Sequence, residues 1–257
     1  MIPKIIHYTW FSGEQFPDKI KECINSWQKY MPEYEYVLWD SERIKEIKSR
    51  WLEECLQKKK WAFAADFVRL YAVYNYGGIY LDTDCIVYQS FDPLLNNVCF
   101  IGKEHSIHIE GRRVESYLSS HCFGAEAGNS FIYRCLSYYD RPFVMSDNDS
   151  FPMRLKWNTV LLPFIQSELA KQSGYCPSPS SVKIQNLAGG GVVYPSEYFD
   201  SSKITSNSFC KHLALGSWRD EKSKEEKITL WYKVRWRVES VLRAILNKCG
   251  YLLIKKC

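Results

Sequence analysis

Residues 62–84 read AFAADFVRLYAVYNYGGIYLDTD. Phe63, Phe67, Leu70 and Tyr74 recur at three- and four-residue spacing, so a helix is predicted over Trp61–Tyr76. Gly77-Gly78 ends it, because glycine accepts the left-handed backbone of a helix C-terminus. Ile79-Tyr80-Leu81 follows as a short apolar strand. Asp82-Thr83-Asp84 then falls at the carboxyl end of that strand, where open α/β sheets bind their ligands.

Outward from this stretch the same rhythm continues. Lys4–Trp10 (KIIHYTW) reads as a buried strand. Asp18 opens a predicted helix to about Tyr30, with Ile20, Cys23, Ile24 and Trp27 on one face, and Pro32 stops it. Tyr36–Trp39 is a second strand, and two short helical stretches fill 41–58. Downstream, 98–102 reads as a strand, Ile107–Leu118 as a hairpin around Glu110-Gly111, and Ser130–Tyr139 and Thr159–Ala170 as helices. Residues 174–208 are rich in Ser, Pro and Gly and read as loops with short strands. Phe209–Leu215 is a last strand. Strands alternating with helices predict the α/β class. No internal repeat is visible.

Four groups of residues can carry chemistry. Asp82 and Asp84 are alternate residues at a strand end, so both carboxylates can face one point. Two such carboxylates repel and favour a hard cation, Mg²⁺ or Mn²⁺, shared with phosphate oxygens; the plain alternative is a pair of solvated turn acids. Asp66 and Arg69 share a helix face. They suit sugar hydroxyls and phosphate, or form an ordinary surface ion pair. Trp10, ending the first strand, can stack on a base or sit in the core. His212, in KHLALGSW, can complete a metal site or be a core histidine. Ser217 and the Trp218 indole N–H can donate to phosphate oxygens.

Composition narrows the classes. Of 257 residues 46% are hydrophobic, enough for a full core, and 16% are aromatic. The net charge is +5, yet residues 230–257 hold seven Lys/Arg against one acid, leaving 1–229 close to neutral. A uniformly basic nucleic-acid surface is therefore not expected. The ten cysteines are scattered without a C-x-x-C pair, which reads as reduced thiols in a cytoplasmic protein. No signal peptide opens the chain and no run of 18 apolar residues occurs. In 230–257, Trp231, Val234, Val238, Val241, Leu242, Ile245, Cys249 and Leu252 recur at helical spacing, flanked by Lys233, Arg237 and Lys248. This basic amphipathic helix suits an anionic membrane surface, which would make the protein peripheral on the inner face of the cytoplasmic membrane, or it docks on the domain. The expected division is 1–229 as the main domain and 230–257 as the tail.

Taken in order, IPKIIHYTWFSG, SWQKYMPEYEYVLWD, AFAADFVRLYAVYNYGGIYLDTD and HLALGSW resemble family 32 of the glycosyltransferases. That family is typified by capsular and surface polysaccharide enzymes, and looks related to yeast Golgi mannosyltransferases and the glucosylating domain of large clostridial toxins. The match covers 2–103 and 210–218, with 104–208 matching loosely. The resemblance implies a GT-A, Rossmann-like nucleotide-sugar-binding fold, a nucleotide-diphosphate sugar (UDP ahead of GDP), a divalent metal, and retention of configuration. It makes Trp10 the base-stacking residue, Asp66 and Arg69 sugar contacts, and Asp82 a ribose, sugar or water-mediated metal contact. Asp84 becomes a direct metal ligand, His212 a third ligand, and Ser217 and Trp218 a cover for the phosphates. The expected acceptor is a glycan or lipid-linked saccharide. Two rivals stand beside this reading. One is a non-catalytic sugar- or membrane-binding module. The other is a haloacid-dehalogenase-type phosphatase, whose D-x-D wants Thr or Val two residues on, where this chain has Cys85-Ile86.

Overall fold

The computed structural model describes residues 1–110, 113–139, 161–201 and 203–216. In chain order its strands and helices are β1 (Ile5–Thr9), α1 (Asp18–Tyr30), β2 (Glu35–Trp39), α2 (Arg50–Gln57), α3 (Trp61–Tyr76), β3 (Gly78–Leu81), β4 (Cys85–Val87), β5 (Cys99–Lys103), β6 (His108–Glu110), β7 (Arg113–Glu115), β8 (Leu118–Ala125), α4 (Ser130–Leu136), α5 (Leu162–Lys171), β9 (Gln185–Asn186), β10 (Gly191–Tyr194) and β11 (Cys210–His212).

Seven strands form one sheet in the order β2-β1-β3-β8-β5-β10-β9. β1, β2 and β3 run parallel, as do β5 and β10. β8 runs antiparallel to both β3 and β5. The carboxyl ends of β1, β3 and β5 and the amino end of β8 therefore share one edge of the sheet, and Trp10, Asp82 and Glu104 all begin there.

Alternation along the strands feeds two cores. On β3, Tyr80 faces the layer holding α2, α3, α4 and α5, while Ile79 and Leu81 face the layer closed by Trp27 of α1, Phe91 and Phe199. On β5, Cys99 and Ile101 face the first layer and Phe100 the second. α3 is buried almost all round, from Phe63 through Val73, so it serves as a central helix and not an amphipathic cover. The α/β expectation is met.

Several boundaries differ from the sequence reading. β8 is eight residues long and occupies the middle of the sheet, where the sequence suggested only the end of a hairpin. The fold buries both of its faces, so the polar–apolar alternation that marks a half-exposed strand is missing. β4 is a short strand pairing with β11. β11 itself stops at His212 instead of continuing to Leu215, because Ala214 has φ 51° and Gly216 φ 62°. α5 begins at Leu162, with Pro163 in its first turn. Cys23, Cys55, Cys85, Cys99, Cys122, Cys135 and Cys210 are free and buried, whereas Cys176 is disulfide-bonded, against the reading of reduced thiols throughout. Ser217, Trp218, the boundary at 229 and the amphipathic segment 230–257 lie outside the described residues. Among those described, no helix is long and apolar enough to cross a membrane.

The joint between α3 and β3 is set by backbone and by one imidazole. Gly77 and Gly78 have φ 67° and 103°, and a Cβ on Gly78 would stand 2.7 Å from the Ile5 carbonyl oxygen. His7 on β1 donates from Nε2 to the Gly77 carbonyl at 2.8 Å, and its Nδ1 accepts the Trp39 indole N–H at 3.2 Å. A proton on Nδ1 would oppose that N–H. Burial of the ring, with Arg43 adding to it, lowers His7 to about 4 despite the Gly77 bond.

Two outcomes follow. Gly78→Ala combines strain with a clash and should destabilise the fold by about 2–3 kcal/mol, read as a fall of roughly 5–10 °C in Tm. His7 contributes stability that is full above its unfolded value of 6.5 and is lost as pH falls towards about 4. Urea unfolding over that window should show a loss of up to about 3 kcal/mol that is absent from His7→Gln.

Candidate active site

Asp82 and Asp84 lie just beyond β3, tied to its neighbours through the backbone. The Asp82 amide donates to the His121 carbonyl of β8 at 2.8 Å, and the Leu213 amide to the Asp84 carbonyl at 2.9 Å. The sequence spacing and the β4–β11 pairing together bring His212 opposite Cys85. His212 Nε2 then stands 3.1 Å from Asp84 Oδ1. The other Asp84 oxygen accepts the Leu215 amide at 2.9 Å.

Ligand atoms of Asp82, Asp84 and His212 all lie within 4.8 Å of one another. The donor set, two carboxylates and an imidazole, is that of Mn²⁺ or Mg²⁺ sites open to phosphate. Burial lowers the His212 basicity, but the hydrogen bond and charge of Asp84 outweigh it and raise the ring to about 9. Burial would push the Asp84 carboxyl up, yet His212 and the Leu215 amide hold it below its usual value. A proton on His212 thus balances the carboxylates where a cation would stand, so the residues fit one.

Asp66 and Arg69 are not a surface pair. Their side chains are 7% exposed each, and the guanidinium lies 3.4 Å from Asp66 Oδ1 and 3.4 Å from Asp82 Oδ1. Arg69 also donates to the Ala65 carbonyl at 3.2 Å and to the Ser120 carbonyl and hydroxyl at 2.7 and 3.1 Å. Its cationic carbon sits 4.6 Å above the Tyr80 ring. Asp66 Oδ2 accepts the Leu162 amide at 3.3 Å. Burial pushes the Asp66 carboxyl up to about 6, with Arg69 opposing. Burial works against the Arg69 charge too, and Asp82, Tyr80 and Asp66 more than restore it.

Sequence reasoning missed the groups that hold Asp82. The Tyr80 hydroxyl donates to Asp82 Oδ1 at 2.8 Å, and Thr9 hydrogen-bonds to Tyr80 at 3.1 Å. Tyr80 is alternate to Asp82, a spacing that could have paired them. His121 stacks on His212 at 4.6 Å, and His121, Asp200 and His212 also have ligand atoms within 4.8 Å. Asp200 comes from the loop-rich stretch, where no periodicity marks it. Trp10 lies on the same sheet edge, half-buried. Its indole N–H donates to the Glu14 carbonyl at 2.8 Å and its ring meets Phe16 at 5.1 Å. Trp10 is therefore a rim residue with a partly open face, not a core tryptophan.

Removing Arg69 leaves Asp66 and Asp82 uncompensated. Arg69→Ala should destabilise by about 3–5 kcal/mol, and Arg69→Ala/Asp66→Asn by clearly less. Denaturant titration of the two variants separates them.

Residues 17–101 match the family described as "Glycosyltransferase sugar-binding region containing DXD motif". Inositol phosphoceramide mannosyltransferase 3 of Schizosaccharomyces pombe is 34% identical over 135 residues, which are 51% of this chain and 35% of that protein. Mannosyl phosphorylinositol ceramide synthase SUR1 of Saccharomyces cerevisiae is 31% identical over 145 residues, 55% of this chain and 36% of that protein. The chain spans about a third of the length of these relatives. Among solved structures, the PaToxG glycosyltransferase superposes with a TM-score of 0.48 at 19% identity, covering 66% of this chain and 69% of that one. Residues 17–101 are thus similar to a glycosyltransferase sugar-binding region, and Asp82-Thr83-Asp84 lies inside the matched stretch as a D-x-D sequence.

Proposed function

We propose that this chain is a metal-dependent GT-A glycosyltransferase, transferring a sugar from a nucleoside diphosphate donor to a hydroxyl acceptor. The convergence of Asp82, Asp84 and His212 at the carboxyl end of β3 carries this reading. The neighbouring Arg69 network supports it over a phosphatase that attacks through Asp82, because Arg69 and the Tyr80 hydroxyl both hold Asp82 Oδ1. It also separates the chain from a bare binding module, which has no need of a compensated, buried charge cluster.

In this reading Asp84 and His212, with Asp82, hold Mn²⁺ or Mg²⁺, which supplies charge stabilisation to a departing diphosphate. Arg69 is held by three hydrogen-bond acceptors, two carboxylates and one ring, so it presents its charge without reorganising. Asp66 and Asp82 accept from donor hydroxyls. Trp10 offers a flat face to the base at the rim. Retention of configuration fits front-face attack, in which the acceptor hydroxyl bonds to C1 as the bond to the leaving phosphate breaks and that phosphate takes the hydroxyl proton. UDP-sugars remain the first donors to try. The mannosyl names of the relatives are a reason to try GDP-sugars beside them, and a lipid-linked acceptor as readily as a surface glycan.

Thermal shift against UDP- and GDP-sugars, with Mn²⁺ or with EDTA, tests the proposal. One donor should stabilise the protein in a metal-dependent way and release nucleotide slowly. Asp84→Ala should lower that release by at least about 10²–10³-fold, the effect of one well-placed electrostatic group. Turnover close to wild type in Asp84→Ala, or with EDTA, would overturn it.

A further inference from the structure

Glu104 follows the last residue of β5, on the same sheet edge as Asp82. β8 lies between β5 and β3, so the two acids stand roughly 10 Å apart across the sheet, two strand spacings. The Glu104 amide donates to the Tyr117 carbonyl at 2.8 Å. Its carboxylate meets His108 Nε2 at 2.8 Å. The His108 ring lies flat on Tyr117, with centroids 3.9 Å apart and planes within 10°, and Phe164 of α5 meets the edge of Tyr117 at 5.7 Å. Lys103, one residue before, turns its ammonium away to the carbonyls of Ser178 and Ser181.

This group is continuous with the metal site. The His105 amide donates to Asp200 Oδ2 at 2.7 Å, and Asp200 stands within 4.8 Å of His212. Glu104 keeps 21% of its side chain open and His108 36%. Burial pushes the Glu104 carboxyl up and His108 offsets it, so the carboxylate gains from further hydrogen-bond donors. Glu104, His108 and Tyr117 are not among the residues assigned to the donor.

We propose that Glu104 and His108, braced on Tyr117, form the subsite that grips the acceptor. The moiety taken there is a neutral ring with vicinal hydroxyl groups. The proposal rests on the glycosyltransferase reading for the word acceptor, but not for the binding itself. Glu104 accepts from one hydroxyl, the flat imidazole packs on the ring face, and the distance from Asp82 leaves room for the donor sugar between them. A phosphate on the ring would meet the like charge of the Glu104 carboxylate, so a phosphorylated ring is disfavoured at this point.

Saturation-transfer NMR with methyl α-mannoside, methyl α-glucoside and methyl β-galactoside, each beside mannose 6-phosphate, reads the subsite directly. At least one neutral glycoside should give a signal in the wild type, stronger than the phosphate. Glu104→Gln, which is isosteric, and His108→Ala should each weaken it at least fivefold while Tm stays within a few degrees. An undiminished signal in both variants, or no signal from any glycoside in the wild type, would overturn the subsite. Metal-dependent stabilisation by UDP- or GDP-sugars is measured on the same samples. Its absence would sink the donor reading alone and leave the glycoside result standing.

Discussion

A single guanidinium between two carboxylates organises this site. Arg69 issues from the middle of α3, under the sheet edge, with Asp66 one turn before it and Asp82 at the end of the next strand. Three charges out of water are tolerable only when they offset one another and their remaining donors are satisfied. Here the backbone of α3, the carbonyl and hydroxyl of Ser120, and the Tyr80 ring complete that set. The network therefore fixes three elements at once: α3, β3 and the start of β8. It also explains why α3 is central and buried on most sides, since a solvent-facing helix would leave the charge hydrated and mobile.

The second constraint is the Asp84 carboxylate, which serves two masters. One oxygen faces His212 and the other holds the Leu215 amide. Between them Ala214 takes a left-handed conformation that costs a non-glycine residue energy. The chain that follows the third candidate ligand is thus tethered to the second. The candidate metal site and the course of the chain leaving it are one structural unit.

Much of this was legible in the sequence. The 62–84 stretch announces a helix, a glycine stop, a strand and two alternate acids, and all are where the spacing puts them. What spacing hides is depth. Asp66 and Arg69 at i,i+3 look the same on an exposed helix as on a buried one, and only the packing of α2, α4 and α5 around α3 decides between them. β8 escaped because a strand covered on both faces loses its alternation, and its serines and histidine read as loop. Asp200 and His121 reach the site through long-range pairing that no local pattern encodes. Trp10 was left open between base and core; its place on the rim follows from where β1 ends, one residue earlier than expected.

The antiparallel strand β8 has a further effect. By standing between β3 and β5 it divides the working edge into two compartments built from different parts of the chain. The half that faces the carboxylates comes from residues before Lys103, together with the short return at β11. The other half is framed by the hairpin, α5 and the loops beyond. The two sides still touch across that divider, since the Leu162 amide of α5 holds Asp66 and the His105 amide holds Asp200 beside His212. The edge is thus partitioned but coupled: a change in α5 or around Asp200 reaches the carboxylates through these contacts.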